Sequence, residues 1–248
     1  MTPWPVVQRE ALLLPTLQGH HDELWDVLIE LTELQPDAWT LIGGQMVYLH
    51  ALEHSETPRR VSTDLDVLVN ARVVTGGTAG FVADLVGRGF EMEGSSPVGI
   101  AHRYHRGGVS IDVLAPEGLG ARADQTTTPP NRTISVPAGT QALSRTQLLP
   151  VRKGAREGMD PRPSLLGAVV AKAAAVDVDD VPQAQRQDLV FLLALVDDPL
   201  GLADTLTPKD RKRIRGRSEL ASDTHPAWQS LTPVQRDRAR ATFTILCR

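Results

Sequence analysis

The stretch that most constrains this 248-residue chain is RRVSTDLDVLV at residues 59–69, in which two carboxylates, Asp64 and Asp66, stand at the start of an apolar run. Side chains along a strand point alternately to opposite faces, so Asp64 and Asp66 would share one face of a buried strand. Two adjacent negative charges repel strongly away from water. A counter-charge is therefore needed beside them, and a divalent cation is the leading candidate.

Composition is typical of a globular cytoplasmic protein. The hydrophobic share is 41% and the net charge is −4, which argues against a generally cationic nucleic-acid-binding surface. The one cysteine, Cys247, excludes an internal disulfide framework and fits a reducing compartment. The N-terminal residues do not resemble a signal peptide, and no apolar run is long enough to cross a bilayer. We expect a soluble cytoplasmic protein with no membrane partner.

The order of predicted elements before the acids is helix, strand, helix. Residues 20–34 have apolar side chains at helical spacing, and 37–42 form a short apolar segment typical of a buried strand. Gly43 and Gly44 follow this strand, and helical spacing then resumes. The acidic segment is therefore the second strand of a strand–helix–strand unit.

A further strand pair is predicted after the acids. Residues 78–90 resemble an amphipathic helix that ends at a glycine. Residues 101–116 alternate in polarity around Gly107-Gly108, which predicts a hairpin with Asp112 in its second strand. Residues 115–132 are turn-rich and predict a surface loop.

The character of the chain changes near residue 150. A short strand and a short helix are predicted before it, and 150–163, dense in proline, glycine and charge, is interpreted as a break. Helices are predicted beyond it, at 164–176, 183–196, 198–205, 207–219 and 232–246. We therefore predict an α/β (α+β) fold, with a mixed sheet flanked by helices in a catalytic domain at 1–150 and an all-helical domain at 151–248.

The acids indicate a particular chemistry if the hairpin strand pairs beside the acidic strand. Asp64, Asp66 and Asp112 would then form a three-carboxylate cluster, and oxygen-only ligands favour Mg²⁺ or Mn²⁺. Two such ions can bridge the attacking and leaving oxygens in phosphoryl or nucleotidyl transfer, and Asp112 could instead act as a base. The alternative is that one acid of the pair caps a turn, the other is solvated, and Asp112 is an ordinary edge-strand carboxylate.

Gly43 and Gly44 favour the interpretation of the acids as part of a metal and phosphate site. Backbone N–H groups at a helix start, with no Cβ in the way, can hold a phosphate, although Gly43-Gly44 alone is equally a simple turn. LIGGQMVYLHALEHSETPRRVSTDLDVLV followed by VSIDVLAP resembles the nucleotidyltransferase superfamily that includes DNA polymerase β, over about residues 38–115. Its signature is an apolar strand, two small residues, an acid-x-acid pair and a later third acid. The spacer between Gly44 and Asp64 is longer than the minimal pattern.

Within that superfamily the sequence is most similar to the AbiEii and MenT toxins of type IV toxin–antitoxin systems. Members of that group often carry a full helix in the long spacer, and a hydroxyl and a basic residue precede their acids, as Ser62 and Arg60 do here. The resemblance implies an NTP substrate, a tRNA acceptor and a cognate antitoxin protein as partner. It implies that Asp64 and Asp66 hold the metal and that Asp112 activates the acceptor or completes the metal site.

The resemblance extends to the helical half. Lys172, Arg186 and Asp188 match a lysine-containing helix followed by a helix with basic and acidic residues. It implies that Lys172 and Asp188 take part in catalysis. It also implies that the nucleotide is bound by Gly43, Gly44, Arg60, Ser62, Lys172 and Arg186. A lysine in an apolar helix is costly unless its ammonium reaches an anion. The alternative is that all three are surface charges, with the lysine extended to solvent.

Two further features each have a functional and a purely structural interpretation. A basic stretch could grip the phosphate backbone of tRNA or be a solvated helix face, and its members are Lys209, Arg211, Lys212, Arg213, Arg215 and Arg217. Charged residues of 150–163 could line the same cleft. Ser62 resembles a hydroxyl that a partner phosphorylates in some of these toxins, and its alternative role is to cap the strand entry.

Two rival functions remain open at the level of sequence. One is the same transfer to a small molecule such as an aminoglycoside, which an acidic pocket would favour and a basic surface would not. The other is a catalytically silent member that binds a partner protein. The presence of all three acids argues against the silent member, because such a chain has no need to keep them.

Overall fold

The structure is a computed structural model of the chain. It describes residues 4–17, 22–57, 62, 64–71, 76–118 and 125–248. Arg60 and its neighbours Arg59 and Thr63, which the sequence places before the acids, lie outside these ranges, so their predicted roles are not addressed by it.

The described residues form strands and helices in the following order. The strands are β1 (Leu12–Leu13), β2 (Trp39–Ile42), β3 (Asp64–Val69), β4 (Glu91–Met92), β5 (Arg103–Arg106), β6 (Val109–Pro116), β7 (Ser135–Val136), β8 (Thr146–Lys153) and β9 (Arg156–Pro163). The helices are α1 (Glu23–Leu34), α2 (Gly43–Glu53), α3 (Gly77–Gly87), α4 (Gly139–Ser144), α5 (Leu165–Ala175), α6 (Pro182–Ala194), α7 (Pro199–Asp204), α8 (Pro208–Arg215) and α9 (Pro233–Leu246).

The central sheet is mixed, which confirms the predicted fold class. Its strands follow the order β2-β3-β6-β5-β4, with β7 beside β6. β3 is parallel to β6 and antiparallel to β2, and β5 is antiparallel to both β6 and β4. The predicted hairpin is present, with its turn at Gly107-Gly108, and the predicted strand–helix–strand unit is β2, α2 and β3.

The alternation in β3 separates two environments. Leu65, Val67 and Val69 are fully buried in the main core of the protein. Leu68 points the other way and packs in a smaller cluster with Leu114 and residues of α4. Because residues two apart share a face, the two acids of β3 lie on the side of Leu68, away from the main core.

The predicted break at 150–163 is wrong, because β8 and β9 form an antiparallel hairpin there. Together with β1, which pairs in parallel with β8, they make a second sheet of three strands. Gly158 is part of the packing: a Cβ built on it would lie 2.5 Å from Cγ2 of Ile29 in α1. The glycines and prolines that are typical of a linker here occupy a strand that contacts α1 closely.

The charges of this hairpin are bound to the helices beneath it. The Lys153 ammonium lies 2.6 Å from the Asp26 carboxylate, and the Arg162 guanidinium lies 2.5 Å from that of Glu53. Arg156 donates to Glu33 at 2.9 Å. These three side chains therefore anchor the hairpin to α1 and α2, and they do not line the cleft described below.

The chain is helical from α5 onward, as predicted, although this part begins after residue 163 and not at 151. Ser164 caps α5 by accepting from the Gly167 N–H, and proline opens each helix from α6 to α9. The boundary predicted at residue 150 falls inside β8. One hydrophobic cluster contains both Leu65 of the sheet and Leu192 of α6, so the core is continuous across that boundary.

In the ranges given above, no helix has the length and apolar character needed to cross a membrane.

Candidate functional site

A cleft of about 570 Å³ opens between one face of the central sheet and the pair of helices α5 and α6. Its sheet wall carries Asp64, Asp66 and Asp112, and its helical wall carries Lys172. A volume of this size is typical of small-ligand sites. Residues that are far apart in the sequence are therefore brought to one space.

Strand pairing determines where the three acids lie. In the parallel pair of β3 and β6, Asp66 is directly opposite Asp112, and Asp64 is opposite Ser110. The three carboxylates lie on the sheet face that lines the cleft. This is the arrangement that the sequence predicts, while the chemical role of each acid stays a prediction.

Asp66 has the most strongly altered environment of the three acids. It keeps some exposed surface toward the cleft, but protein surrounds it on its other sides, and this desolvation raises the pKa of its carboxyl to about 6. The Lys172 ammonium opposes the rise, and the carboxylates of Asp112 and Asp64 add to it. A cation beside Asp66 would relieve both the desolvation and the repulsion.

Gly43 lets the start of α2 approach this carboxylate. Its φ is +70°, and a Cβ built there would lie 1.7 Å from Oδ2 of Asp66. At Gly44 a Cβ would lie 2.5 Å from Cβ of Ser62. Both glycines line the cleft. The pair is therefore required by close packing against the acidic strand, and its predicted contact with phosphate stays a prediction.

Ser62 lies at the entry to β3 and bonds to its own strand. Its hydroxyl accepts from the Asp64 N–H at 3.4 Å and lies 3.3 Å from the Asp64 carbonyl oxygen. The side-chain amide of Gln45 in α2 donates to the Ser62 carbonyl oxygen. This geometry is that of a hydroxyl that caps the strand entry, at a position that also lines the cleft.

Arg103 is a member of the cleft that the sequence interpretation missed. It lies on β5 directly opposite Asp112. Its Nε donates to Oδ1 of Asp112 and its Nη2 to Oδ2, both at 2.7 Å. Nη2 also lies 4.0 Å from Oδ2 of Asp64. Because the Asp112 carboxylate stabilises the charged guanidinium, the pKa of Arg103 is raised above its usual value.

Lys172 is buried, with 3% of its side chain exposed. Its ammonium donates to Oδ2 of Asp188 at 2.8 Å and to Oε1 of Gln185 at 2.9 Å. The Gln185 amide donates in turn to Asp179 at 2.6 Å. The alternative of a solvent-extended lysine is excluded. Gln185 and Asp179 also line the cleft, and neither was singled out from the sequence.

Arg186 and Asp188 occupy different positions relative to the cleft. Asp188 is 6% exposed, is not part of the cleft lining, and accepts a hydrogen bond from the Lys172 ammonium. Arg186 donates to Glu219 at 2.9 Å and is not part of the lining. The predicted nucleotide contact of Arg186 therefore requires a ligand that extends beyond the cleft.

The basic residues of 209–217, in and just after α8, are largely engaged within the chain. Arg211 and Arg215 donate to backbone carbonyl oxygens near the end of α9, Arg213 donates to Glu117, and Arg217 donates to Asp177. The lysines of this stretch are exposed, and Lys209 lies 3.7 Å from Glu117. These arginines brace the helical half, and two lysines remain at the surface.

The three acids of the cleft differ in how well their surroundings suit a divalent ion. Within the described ranges, no three histidine, cysteine, aspartate or glutamate side chains are grouped as ligands of one metal ion. Asp64 and Asp66 fit such an ion, because Asp66 is desolvated and both face the cleft. Asp112 is already neutralised on both oxygens by Arg103.

Comparison of the sequence with protein-family models and with curated proteins gives no match. Among solved structures, the crystal structure of an antigenic nucleotidyltransferase-like protein from Paracoccidioides brasiliensis is similar, with a TM-score of 0.50 and 14% sequence identity. The likeness covers 84% of this chain and 93% of that one. At this identity it shows a shared fold: the chain folds like a nucleotidyltransferase-like protein, which is the fold that its sequence predicts.

Proposed function

We propose that the protein is a nucleotidyltransferase that uses Mg²⁺ or Mn²⁺ to move NMP from an NTP to a hydroxyl group of RNA, with tRNA as the acceptor. The observation that carries the proposal is the packing of Gly43 against Asp66 in a cleft whose opposite wall holds Lys172. An acidic pair, a helix start and a buried ammonium thus surround one space. An NTP with its metal ion carries the charges that complement all three.

The proposed roles follow from these positions. The acceptor oxygen forms a bond to the α-phosphorus, the bond from that phosphorus to the β-phosphate breaks, and pyrophosphate leaves. A metal ion held by Asp64 and Asp66 would neutralise charge on the phosphates. Lys172 and the N-terminus of α2 hold the triphosphate, and Asp112 takes the acceptor proton. Asp188 holds the Lys172 ammonium in place.

An RNA acceptor and a role as a toxin are supported by the sequence resemblance to the AbiEii and MenT toxins. Lys209 and Lys212 on the surface of α8 are available to contact a phosphate backbone. Induced expression of the wild-type chain should then arrest cell growth, and the Asp66→Ala variant should not. A cognate antitoxin, if encoded beside the gene, should restore growth when it is co-expressed.

A small cationic acceptor such as an aminoglycoside is the second candidate, because Asp179 and Asp180 line the cleft on its helical side. Asp180 is exposed there. Together with the sheet acids they give the cleft an acidic rim, which attracts a polycation and repels the phosphates of RNA. The engagement of the α8 arginines within the chain also favours this candidate over a large basic surface.

Transfer of labelled nucleotide separates these functions. The purified chain is incubated with Mg²⁺ or Mn²⁺ and each α-labelled NTP, together with total tRNA or with a panel of aminoglycosides. Asp66→Ala removes a proposed metal ligand. Asp197→Ala is the matched control, because Asp197 is an exposed aspartate paired with Arg238 away from the cleft.

Label on tRNA in the wild type and in Asp197→Ala, absent from Asp66→Ala, supports the proposal. Label on an aminoglycoside in the wild type and in Asp197→Ala, absent from Asp66→Ala, supports the second candidate. A chain that transfers no label to either acceptor with any NTP contradicts nucleotidyl transfer and leaves a partner-binding protein.

A further inference from the structure

Among the described residues, Arg103 places a positive charge of the chain itself in the acid cluster of the cleft. Arg103 forms two parallel hydrogen bonds of 2.7 Å to the Asp112 carboxylate. This paired geometry is the strongest that a guanidinium makes with a carboxylate. Asp112 is only 8% exposed, so the pair is largely shielded from solvent on the acid's side. An ion that binds Asp112 in the same direction must displace Arg103.

The other two acids are less strongly engaged by Arg103. Its Nη2 is 4.0 Å from Asp64, beyond hydrogen-bonding distance, and its effect on Asp66 acts through space alone. The second cation of the cleft, Lys172, is bonded to Asp188 and Gln185 on the opposite wall. Arg103 is thus bound most tightly to Asp112 among the three acids.

We propose that Arg103 is a resident counter-ion of Asp112 and limits the acid cluster to one divalent ion, held by Asp64 and Asp66. A second ion binds only when the guanidinium leaves Asp112. Glu93 offers it an alternative partner, since its Oε2 lies 3.8 Å from Nε of Arg103. This inference rests on the proposed function, and it makes Arg103 a positioning residue that sets how many ions the site binds.

The number of bound ions tests the inference without any need for activity. Mn²⁺ is titrated into the metal-free chain in the absence of nucleotide, and free Mn²⁺ is followed by electron paramagnetic resonance. The variants are Arg103→Gln, which removes the charge, and Arg103→Lys, which keeps the charge but loses the paired hydrogen bonds. Arg106→Gln is the matched control, because Arg106 lies on the same strand and bonds to Glu30 and to the Arg88 carbonyl outside the cleft.

We expect one Mn²⁺ per chain in the wild type and in Arg106→Gln, and two in Arg103→Gln. The second ion should bind at least about tenfold more tightly than in the wild type, the scale of one hydrogen bond to a charged group. Arg103→Lys should bind it with intermediate affinity. In thermal melts, Mn²⁺ should raise the Tm of Arg103→Gln by more than that of the wild type, because the ion replaces the lost counter-charge.

A decrease in Mn²⁺ affinity in Arg103→Gln overturns the inference. A loss of about 10–100-fold would show that Arg103 orients the metal ligands by hydrogen bonding to them. Identical stoichiometry and affinity in all variants also overturns it. If Arg103→Gln does not fold, the test is made with Arg103→Lys. Mn²⁺ binding by Arg103→Lys with the stoichiometry and affinity of the wild type would then contradict the inference. Nucleotide transfer by the wild type with unchanged ion counts contradicts this inference alone, whereas absence of both transfer and Mn²⁺ binding contradicts the proposed function as well.

Discussion

Replacing Gly43 should both strain the backbone and disturb the cleft beside Asp66. A left-handed φ costs a non-glycine residue about 1–2 kcal/mol, and at Gly43 the added Cβ would also meet the Asp66 carboxylate. We expect Gly43→Ala to lower the free energy of unfolding and to abolish metal binding and transfer. The measurements are chemical denaturation, Mn²⁺ titration and the transfer assay.

Gly154→Ala is the control for this prediction. Gly154 has a φ of +57°, and a Cβ built there meets nothing within 4 Å. This variant should lose stability through strain alone and keep wild-type metal binding. Equal Mn²⁺ binding by the two variants would contradict the close approach of α2 to Asp66.

Asp160 predicts a pH dependence of stability that is independent of the cleft. It is fully buried in β9, and neither carboxylate oxygen has a hydrogen-bond partner among the described residues. Burial raises the pKa of its carboxyl from 3.8 to about 8. Between these two values the folded chain holds a proton that the unfolded chain has released, so stability falls as the pH rises, by up to about 1.4 kcal/mol per pH unit.

Asp160→Asn removes this titration. Denaturation midpoints measured from pH 5 to pH 8 should fall less steeply in the variant than in the wild type, and the gain from the substitution should be largest at pH 8. Parallel profiles for the two proteins would show that Asp160 finds a partner in solution.

The pairing of Arg103 with Asp112 could have been predicted from the sequence. The sequence predicts the hairpin and its turn at Gly107-Gly108. Counting outward from a two-residue turn pairs Arg106 with Val109 and then Arg103 with Asp112, which is the observed register. A counter-ion for the third acid was therefore predictable. Asp160 was not, because its environment depends on a strand that the sequence did not indicate.

At the level of elements, α5 and α6 are joined by the buried ion pair of Lys172 and Asp188. Removing one partner leaves an uncompensated buried charge, which costs about 3–5 kcal/mol, whereas apolar replacement of both is often close to neutral. We expect Lys172→Met and Asp188→Leu each to destabilise the protein, and the double variant to recover most of the wild-type stability. Thermal and chemical denaturation measure this.

The double variant also separates a structural role from a functional one. If Lys172 holds the triphosphate, nucleotide transfer should stay absent in the double variant although its fold is restored. Activity that returns together with stability would confine the pair to joining the two helices.

Elements with regular spacing were predictable, and those that depend on distant partners were not. The central helices and strands follow from local apolar periodicity. The hairpin of β8 and β9 was missed because its prolines and glycine are typical of loops, and its stability comes from contacts with α1 and from ion pairs to Asp26 and Glu53. β1 has two residues, too few for a periodic pattern.

At the scale of the whole molecule, the continuous core predicts one cooperative unfolding transition. Trp25 and Trp39 are buried in the first half and Trp228 in the second. In a Trp228→Phe variant, fluorescence reports on the first half, while far-UV circular dichroism is dominated by helices throughout the chain. We expect the two denaturation curves to coincide. Separate midpoints would support the two independent domains that the sequence suggests, with a boundary moved from residue 150 to α5.

The pairing of β1 with β8 has a consequence for how the chain is made. Leu12 emerges from the ribosome early, but its partner Val151 follows only after the whole central sheet has been translated. Closure of so long a loop is slow compared with the formation of local contacts. β1 is therefore synthesised well before its partner strand and docks late, and until it docks the edge of the β8–β9 hairpin is open to pairing with another chain.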